Sequence, residues 1–262
     1  MHDVIDLERY PLDQLDSLDG QALVRRCRDD LERDGMFNLA GLMRPEAIEK
    51  AVSEAKLQFE TNAFTHSRQH NIYFLPEIHD LPSDHPALQK FETINHTICA
   101  DQIPASVLVR LYEWPQFAAF LAAVMGKPAL YGMDDALARL NVMGYGRGEA
   151  LNWHFDRSEF TTTLLLQSPH RGGEFQYRTG LRSDEDANYD GVGEFLQHQQ
   201  ASAKSLSLDA GTLNVFRGKN TIHRVTPVEG ERKRIIAVFS YYEQAGVQFS
   251  NEERIGFYGR AS

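Results

Sequence analysis

The chain has 262 residues, 42% of them hydrophobic, and a formal net charge of −10. That content supports a sizeable core and excludes wholesale disorder, and the negative charge argues against nucleic-acid and anionic membrane surfaces as partners. The two cysteines, Cys27 and Cys99, form no CxxC pair. A disulfide framework or cysteine zinc site is therefore not expected, and a reducing cytoplasm is the expected compartment.

The opening "MHDVIDLERYPLD" is acidic and lacks the apolar stretch of a signal peptide. "SLDGQALVRRCRDDLERDG" then reads as an amphipathic helix, capped by Ser17 and stopped at Asp34-Gly35. "MFNLAGL" reads as a short strand. "RPEAIEKAVSEAKLQFET" places Ile48, Val52, Ala55 and Phe59 at helical spacing behind Pro45. Residues 63–103, with scattered His and Pro, read as loop and short turns. "SVLVRLYEWPQFAAFLAAVMG" reads as one or two helices, broken near Pro115 and closed by Gly126.

From about Ala138 short β-rich runs alternate with glycine: "ARLNVMGYG", "EFTTTLLLQ", "GGEFQYR", "KSLSLDAGTLNVFRG", "TIHRVTPV" and "RIIAVFSYYE". This spacing marks a sandwich or barrel. Residues 179–204 between them are acidic and read as an insertion, with a short helix near Val192–Gln197. The expected architecture is one domain over 1–262. Residues 1–137 supply mostly helical support, and residues 138–262 supply the β core: mainly β with a helical layer, α+β overall.

Within "LNWHFDRSEFTTTLLLQ", His154 and Asp156 stand two apart. On a strand such positions share a face, so both side chains can ligate one metal. Alone, H-x-D is a common accident in a chain with ten histidines. His223 follows on another strand-like run, and Arg234 on the next. Two histidines and one carboxylate form the facial set of non-haem Fe(II) oxygenases, which leaves coordination positions open. An arginine fork nearby suits a distal carboxylate, and 2-oxoglutarate has both ends.

These residues, together with "GGEFQY", "AGTLNVFRG" and "HRVTPVEGERKR", resemble the Fe(II)/2-oxoglutarate-dependent dioxygenase superfamily over roughly residues 138–242. More narrowly, "NWHFDRSEFTTTLLLQ" and "GGEFQYRTGLRSDEDANYD" resemble the group of free amino acid hydroxylases and radical halogenases. The resemblance implies a double-stranded β-helix (jelly-roll) core. It implies iron held by His154, Asp156 and His223, and 2-oxoglutarate and O2 as co-substrates. Arg234 would anchor the far carboxylate, with Arg232 the alternative on the same strand face. Asn141 and Thr163 are further candidate contacts to the co-substrate. Halogenases of that group carry glycine where this chain has Asp156, so hydroxylation with release of succinate and CO2 is implied. Arg157 stands where a related enzyme has a substrate-contacting acid, which makes it a candidate substrate contact. The expected substrate is a small amino-acid-like molecule. Asp184, Glu185, Asp186 and Asp190 of the insertion are candidates to attract its ammonium if the insertion closes as a lid. Two other readings stay open at this point: a zinc hydrolase on the same ligands, and a non-catalytic jelly-roll binding protein. The sequence leaves the oligomeric state open.

Overall fold

The computed structural model describes residues 1–75, 77–79 and 81–262. Two antiparallel sheets face each other. The larger has seven strands, in the spatial order Met36–Leu39, Leu213–Phe216, Thr161–Gln167, Arg234–Phe239, Leu140–Tyr145, Phe91–Cys99 and Phe64–His70. The smaller has four, in the order Lys204–Leu206, Phe175–Arg178, Ile222–Val225 and Leu151–His154. No described helix is long and apolar enough to cross a membrane.

Helices cover the outer face of the larger sheet. Leu18–Asp34 starts where the Ser17 hydroxyl accepts from Gly20 N–H, and it ends at Gly35, whose φ of 73° suits a residue without Cβ. Pro45–Thr61 begins with proline at its first turn, and Val107–Tyr112 and Pro115–Met125 are separate helices split at Trp114. Leu23, Cys27 and Leu31 of the first helix pack with Phe117, Phe120 and Leu121 against Val142, Leu164, Leu166 and Ala237 of the sheet. Alternation along Thr161–Gln167 explains this: Leu164 and Leu166 face the helices, while Leu165 faces inward with Tyr145 and Ile236. Each buried aliphatic or aromatic side chain in this layer contributes roughly 1.5–3 kcal/mol of burial free energy.

Residues 63–103, read from the sequence as loop, contain the two strands Phe64–His70 and Phe91–Cys99, paired from Phe64↔Thr97 to His70↔Phe91. Their alternation was hidden because the inward positions are His66, Arg68 and His70 rather than aliphatic residues. The loop reading of 63–103 is corrected accordingly, while helices remain the main regular element of residues 1–137. The run "KSLSLDAGTLNVFRG" is likewise two strands, Lys204–Leu206 and Leu213–Phe216, in different sheets. The chain passes between them through a turn at Gly211, whose φ is +87°. The insertion carries a helix at Tyr189–Glu194 that continues as a π-turn over Phe195–Gln199. A last helix, Asn251–Tyr258, is set by a reciprocal Ser250–Glu253 capping box and closed by Gly259. It packs beside the strand Phe64–His70.

Candidate metal centre

His154 ends the strand Leu151–His154, and His223 sits opposite it in register on Ile222–Val225. Asp156 follows two residues later, where Asp156 N–H donates to the Gly218 carbonyl at 3.0 Å. His154 Nε2 lies 3.3 Å from Asp156 Oδ1, and His223 Nε2 lies 3.4 Å from Asp156 Oδ2. One ligand atom from each of the three falls within 4.8 Å of the others. Both histidines are 3% exposed, while the Asp156 side chain keeps 21% of its surface open, so the centre is reached from one side.

The surroundings orient each ligand. His154 Nδ1–H donates to the Asn152 carbonyl at 2.7 Å, and His223 Nδ1–H donates to the Thr221 carbonyl at 2.9 Å. These bonds place the proton on Nδ1 and turn both Nε2 lone pairs toward the space that the Asp156 carboxylate also faces, as in metal-binding histidines. Thr161 Oγ1 donates to Asp156 Oδ2 at 2.5 Å. Gly218 fills the space below: a Cβ there would overlap Asp156 Oδ2 and Thr161 Oγ1. Burial pushes the His223 imidazolium down to about 4, aided by neighbouring His154. Burial also raises the Asp156 carboxyl, but the charge of the two imidazoles when protonated, together with the bond from the Thr161 hydroxyl, holds it well below the usual carboxylate range. Two neutral imidazoles and one carboxylate make a net-anionic donor set that fits a divalent transition metal.

Arg234 opens its strand opposite Tyr145 and is 3% exposed. Its Nε donates to the Gly173 carbonyl at 3.1 Å, while Nη1 is buried without a partner. Burial lowers its pKa, opposed by Tyr145. A buried guanidinium with an unsatisfied N–H is costly unless an anion meets it. Arg232 does not share the strand face, because the strand begins only at Arg234. Arg232 is exposed in the preceding turn.

The other sequence candidates fall as follows. Asn141 Nδ2 donates to the carbonyls of Leu137 and Leu140, and its Oδ1 accepts from Tyr258. Its amide is therefore spent within the protein. Thr163 is buried and donates to the Asn214 carbonyl at 3.2 Å. Arg157 pairs with Glu253 of the last helix at 2.8 Å. The insertion acids have partners too: Asp184 with Lys219 at 2.6 Å, Asp190 with His85 at 3.1 Å, Glu185 with Ser183 at 3.1 Å, and Asp186 with Asn188 N–H at 2.7 Å.

Sequence reasoning missed a wall on the open side of the triad. The Phe74 ring lies 5.5 Å from His154, and His70 lies 6.5 Å from it. Arg68 stacks over Phe74 at 4.3 Å and approaches Phe257 at 5.7 Å. The available signal was the alternation of His66, Arg68 and His70.

Residues 19–254 match the Halogenase D family. The chain belongs to that family. Comparison with curated proteins gave no match. Among solved structures, the chain is similar to a 2OG-Fe(II) oxygenase-family oxidoreductase from Burkholderia pseudomallei at 13% identity, covering 86% of this chain and 92% of that one, with a TM-score of 0.53. It is similar to HygX from Streptomyces hygroscopicus, solved with nickel and 2-oxoglutarate, at 13% identity, 86% and 89% coverage and a TM-score of 0.55. The epimerase SnoN from nogalamycin biosynthesis, described as non-haem and alpha-ketoglutarate-dependent, gives 15% identity, 85% and 83% coverage and a TM-score of 0.56. At these identities the likeness concerns the fold.

Proposed function

We propose that this protein is an Fe(II)- and 2-oxoglutarate-dependent oxygenase that hydroxylates an unactivated C–H bond of a small amino-acid-like molecule, with release of succinate and CO2. The observation that carries the reading is one pairing: a His154–Asp156–His223 donor set, and a buried Arg234 whose Nη1 has no hydrogen-bond partner within the protein. The two facing sheets are read as a double-stranded β-helix that holds both. HygX, of similar fold, is solved with nickel and 2-oxoglutarate.

Iron supplies the oxidising chemistry when bound with 2-oxoglutarate and O2. The chain supplies ligands, orientation and a dry cavity. The Nδ1–H bonds of His154 and His223 fix the rings, and Thr161 steadies the Asp156 carboxylate. Arg234 receives the far carboxylate of 2-oxoglutarate, and Tyr145, Leu165, Val228 and Ile236 wall off water around that anchor. Thr163 lies on the same inward face as Thr161, where it supports the cavity through Asn214. Asp156 fills the position that a halide would need, so the outcome within this family is oxygen transfer.

A zinc hydrolase, or a binding protein without catalysis, gives no task to a buried arginine that lacks an anion.

The test is anaerobic titration of the protein with Fe(II) and 2-oxoglutarate. A weak visible charge-transfer band is expected, followed by succinate formation on admitting O2. Absence of the band, with hydrolytic activity in the zinc-loaded protein, would overturn the reading.

A further inference from the structure

Arg234 lines a cleft of about 170 Å³ between the turn 168–174 and the segment 206–208. The floor of this cleft is buried: it is made by Leu165, Phe175 and Arg234 itself. The rim is exposed and carries His170, Arg171 and Ser207. The cleft therefore runs from solvent to the side chain whose Nη1 has no partner within the protein.

Local chain geometry keeps the cleft open. Gly172 and Gly173 hold φ values of 67° and 64°, a region that residues with a Cβ rarely adopt. A Cβ on Gly173 would stand 2.8 Å from Pro169 Cγ and 3.1 Å from Arg234 Cδ, so it would crowd the floor beside the guanidinium. Gly173 N–H donates to the Pro227 carbonyl at 3.2 Å, and the Gly173 carbonyl accepts from Arg234 Nε, which fixes turn and arginine to one another. Across the cleft, Leu206 pairs with Phe175 in the smaller sheet, and the Ser168 hydroxyl donates to the Leu208 carbonyl at 3.2 Å. Both walls are thus anchored. The charged rim residues have partners of their own: Arg171 lies 3.3 Å from Glu229, and Glu174 accepts from Ser205 at 3.2 Å. Arg234 is left as the cation that meets an incoming anion at the floor.

This opening is not the one beside the metal ligands. Along Thr161–Gln167 the inward positions are Thr161, Thr163 and Leu165. Thr161 holds Asp156 at one end, and Leu165 lines the cleft at the other. Four residues of strand separate them, about 13 Å at roughly 3.3 Å per residue. The open side of the triad is walled instead by Phe74 and Arg68.

Resting on the oxygenase reading above, we infer that this cleft is the passage by which 2-oxoglutarate enters and succinate leaves, separate from the opening by which the substrate reaches the metal. The dicarboxylate enters with its keto end leading, and its far carboxylate stops at Arg234. A buried cation at the end of a short passage draws a dianion inward. Co-substrate exchange then does not require the substrate side to be vacant.

The test is kinetic. Anaerobic Fe(II)-loaded protein is mixed with 2-oxoglutarate in stopped flow, and growth of the charge-transfer band is followed. Its decay on dilution gives the reverse rate. The unsubstituted protein is compared with Ser207→Cys before and after reaction with a bulky maleimide, applied ahead of iron. Cys27 and Cys99 are buried, so the label goes to position 207. Labelling is expected to slow band growth and band decay alike, by roughly tenfold or more, with the equilibrium titration unmoved. An obstruction raises the barrier equally in both directions, whereas a displaced Arg234 would raise Kd. Ser207→Trp should reproduce the slowing without a label. Unchanged rates in both obstructed forms, or a raised Kd with an unchanged association rate, would overturn the inference. Failure of the oxygenase reading is seen separately, as absence of the band in the unsubstituted protein.

Discussion

Two arginines of the larger sheet, Arg234 and Arg68, are mounted differently. Arg234 sits where a central strand pairs with Tyr145, its side chain wedged under Gly173. Arg68 sits on an edge strand, between a loop phenylalanine and a helix close to the C-terminus. On the proposed function, the co-substrate end is built into the sheet, where neighbours on both sides resist change. The wall around Arg68 is built from an edge strand, a loop and the last helix, the elements most easily altered without disturbing the core. A scaffold of this kind keeps one reaction partner constant and varies the other.

The sharpest way to break this comparison is Arg234→Ala. Removing one partner of a buried charge pair costs about 2–5 kcal/mol, so the 2-oxoglutarate requirement should rise by roughly tenfold or more. A 2-oxoglutarate titration of the charge-transfer band measures it. Arg232→Ala should leave that titration unchanged, because Arg232 is exposed outside the strand.

Next is Gly218→Ala, which acts on neither arginine but on the metal-binding donor set. Its Cβ would overlap the Asp156 carboxylate and the Thr161 hydroxyl. Displacing a group that holds a metal ligand in place typically weakens metal affinity by about 10–100-fold. Fe(II) competition with a chelator reads this directly.

Phe257→Ala should act on the wall around Arg68 alone. Loss of a half-buried cation–π neighbour, worth about 0.5–2 kcal/mol, should raise the substrate KM by roughly three- to thirtyfold. The 2-oxoglutarate titration should not move.

The smallest expected effect is a pH dependence on the edge strand. Burial, with a smaller contribution from Arg68, holds the folded pKa of His66 at about 4, below its ordinary 6.5. Between those values the unfolded chain binds the proton and the folded chain does not, so stability is lost as pH falls through the window. His66→Gln should flatten the decline of Tm between pH 6.5 and 4 by a few degrees, since about 1 kcal/mol moves Tm by roughly 2–4 °C in a domain of this size. Calorimetry on the metal-free protein checks this.

The same contrast governs what the sequence disclosed. His154, His223 and Arg234 lie on strands whose flanking residues are apolar and glycine-punctuated, so the β pattern located them, and Asp156 stands two residues past the end of one of these strands. The β core from Leu140 onward was visible for the same reason. The wall around Arg68 was not, because polar inward residues erase the alternation by which a half-buried strand is recognised. Arg232 was misplaced by a strand boundary: the strand begins at Arg234. Asn141 carried no sequence sign that Tyr258, 117 positions on, would take its carbonyl oxygen. The helix Asn251–Tyr258 went unread, although Ser250, Glu253 and Gly259 carry its capping pattern.

Gly218 has a meaning for how such a site diverges. Its missing side chain is the imprint of the Asp156 carboxylate, and Thr161 is the hydroxyl that the carboxylate holds. A lineage that exchanged Asp156 for a smaller residue would lose the reason for glycine at 218 and the acceptor for threonine at 161. The three positions therefore form one heritable character, free to drift only together. Variation at 161 and 218 among relatives then becomes a record of which atom once occupied the third coordination position.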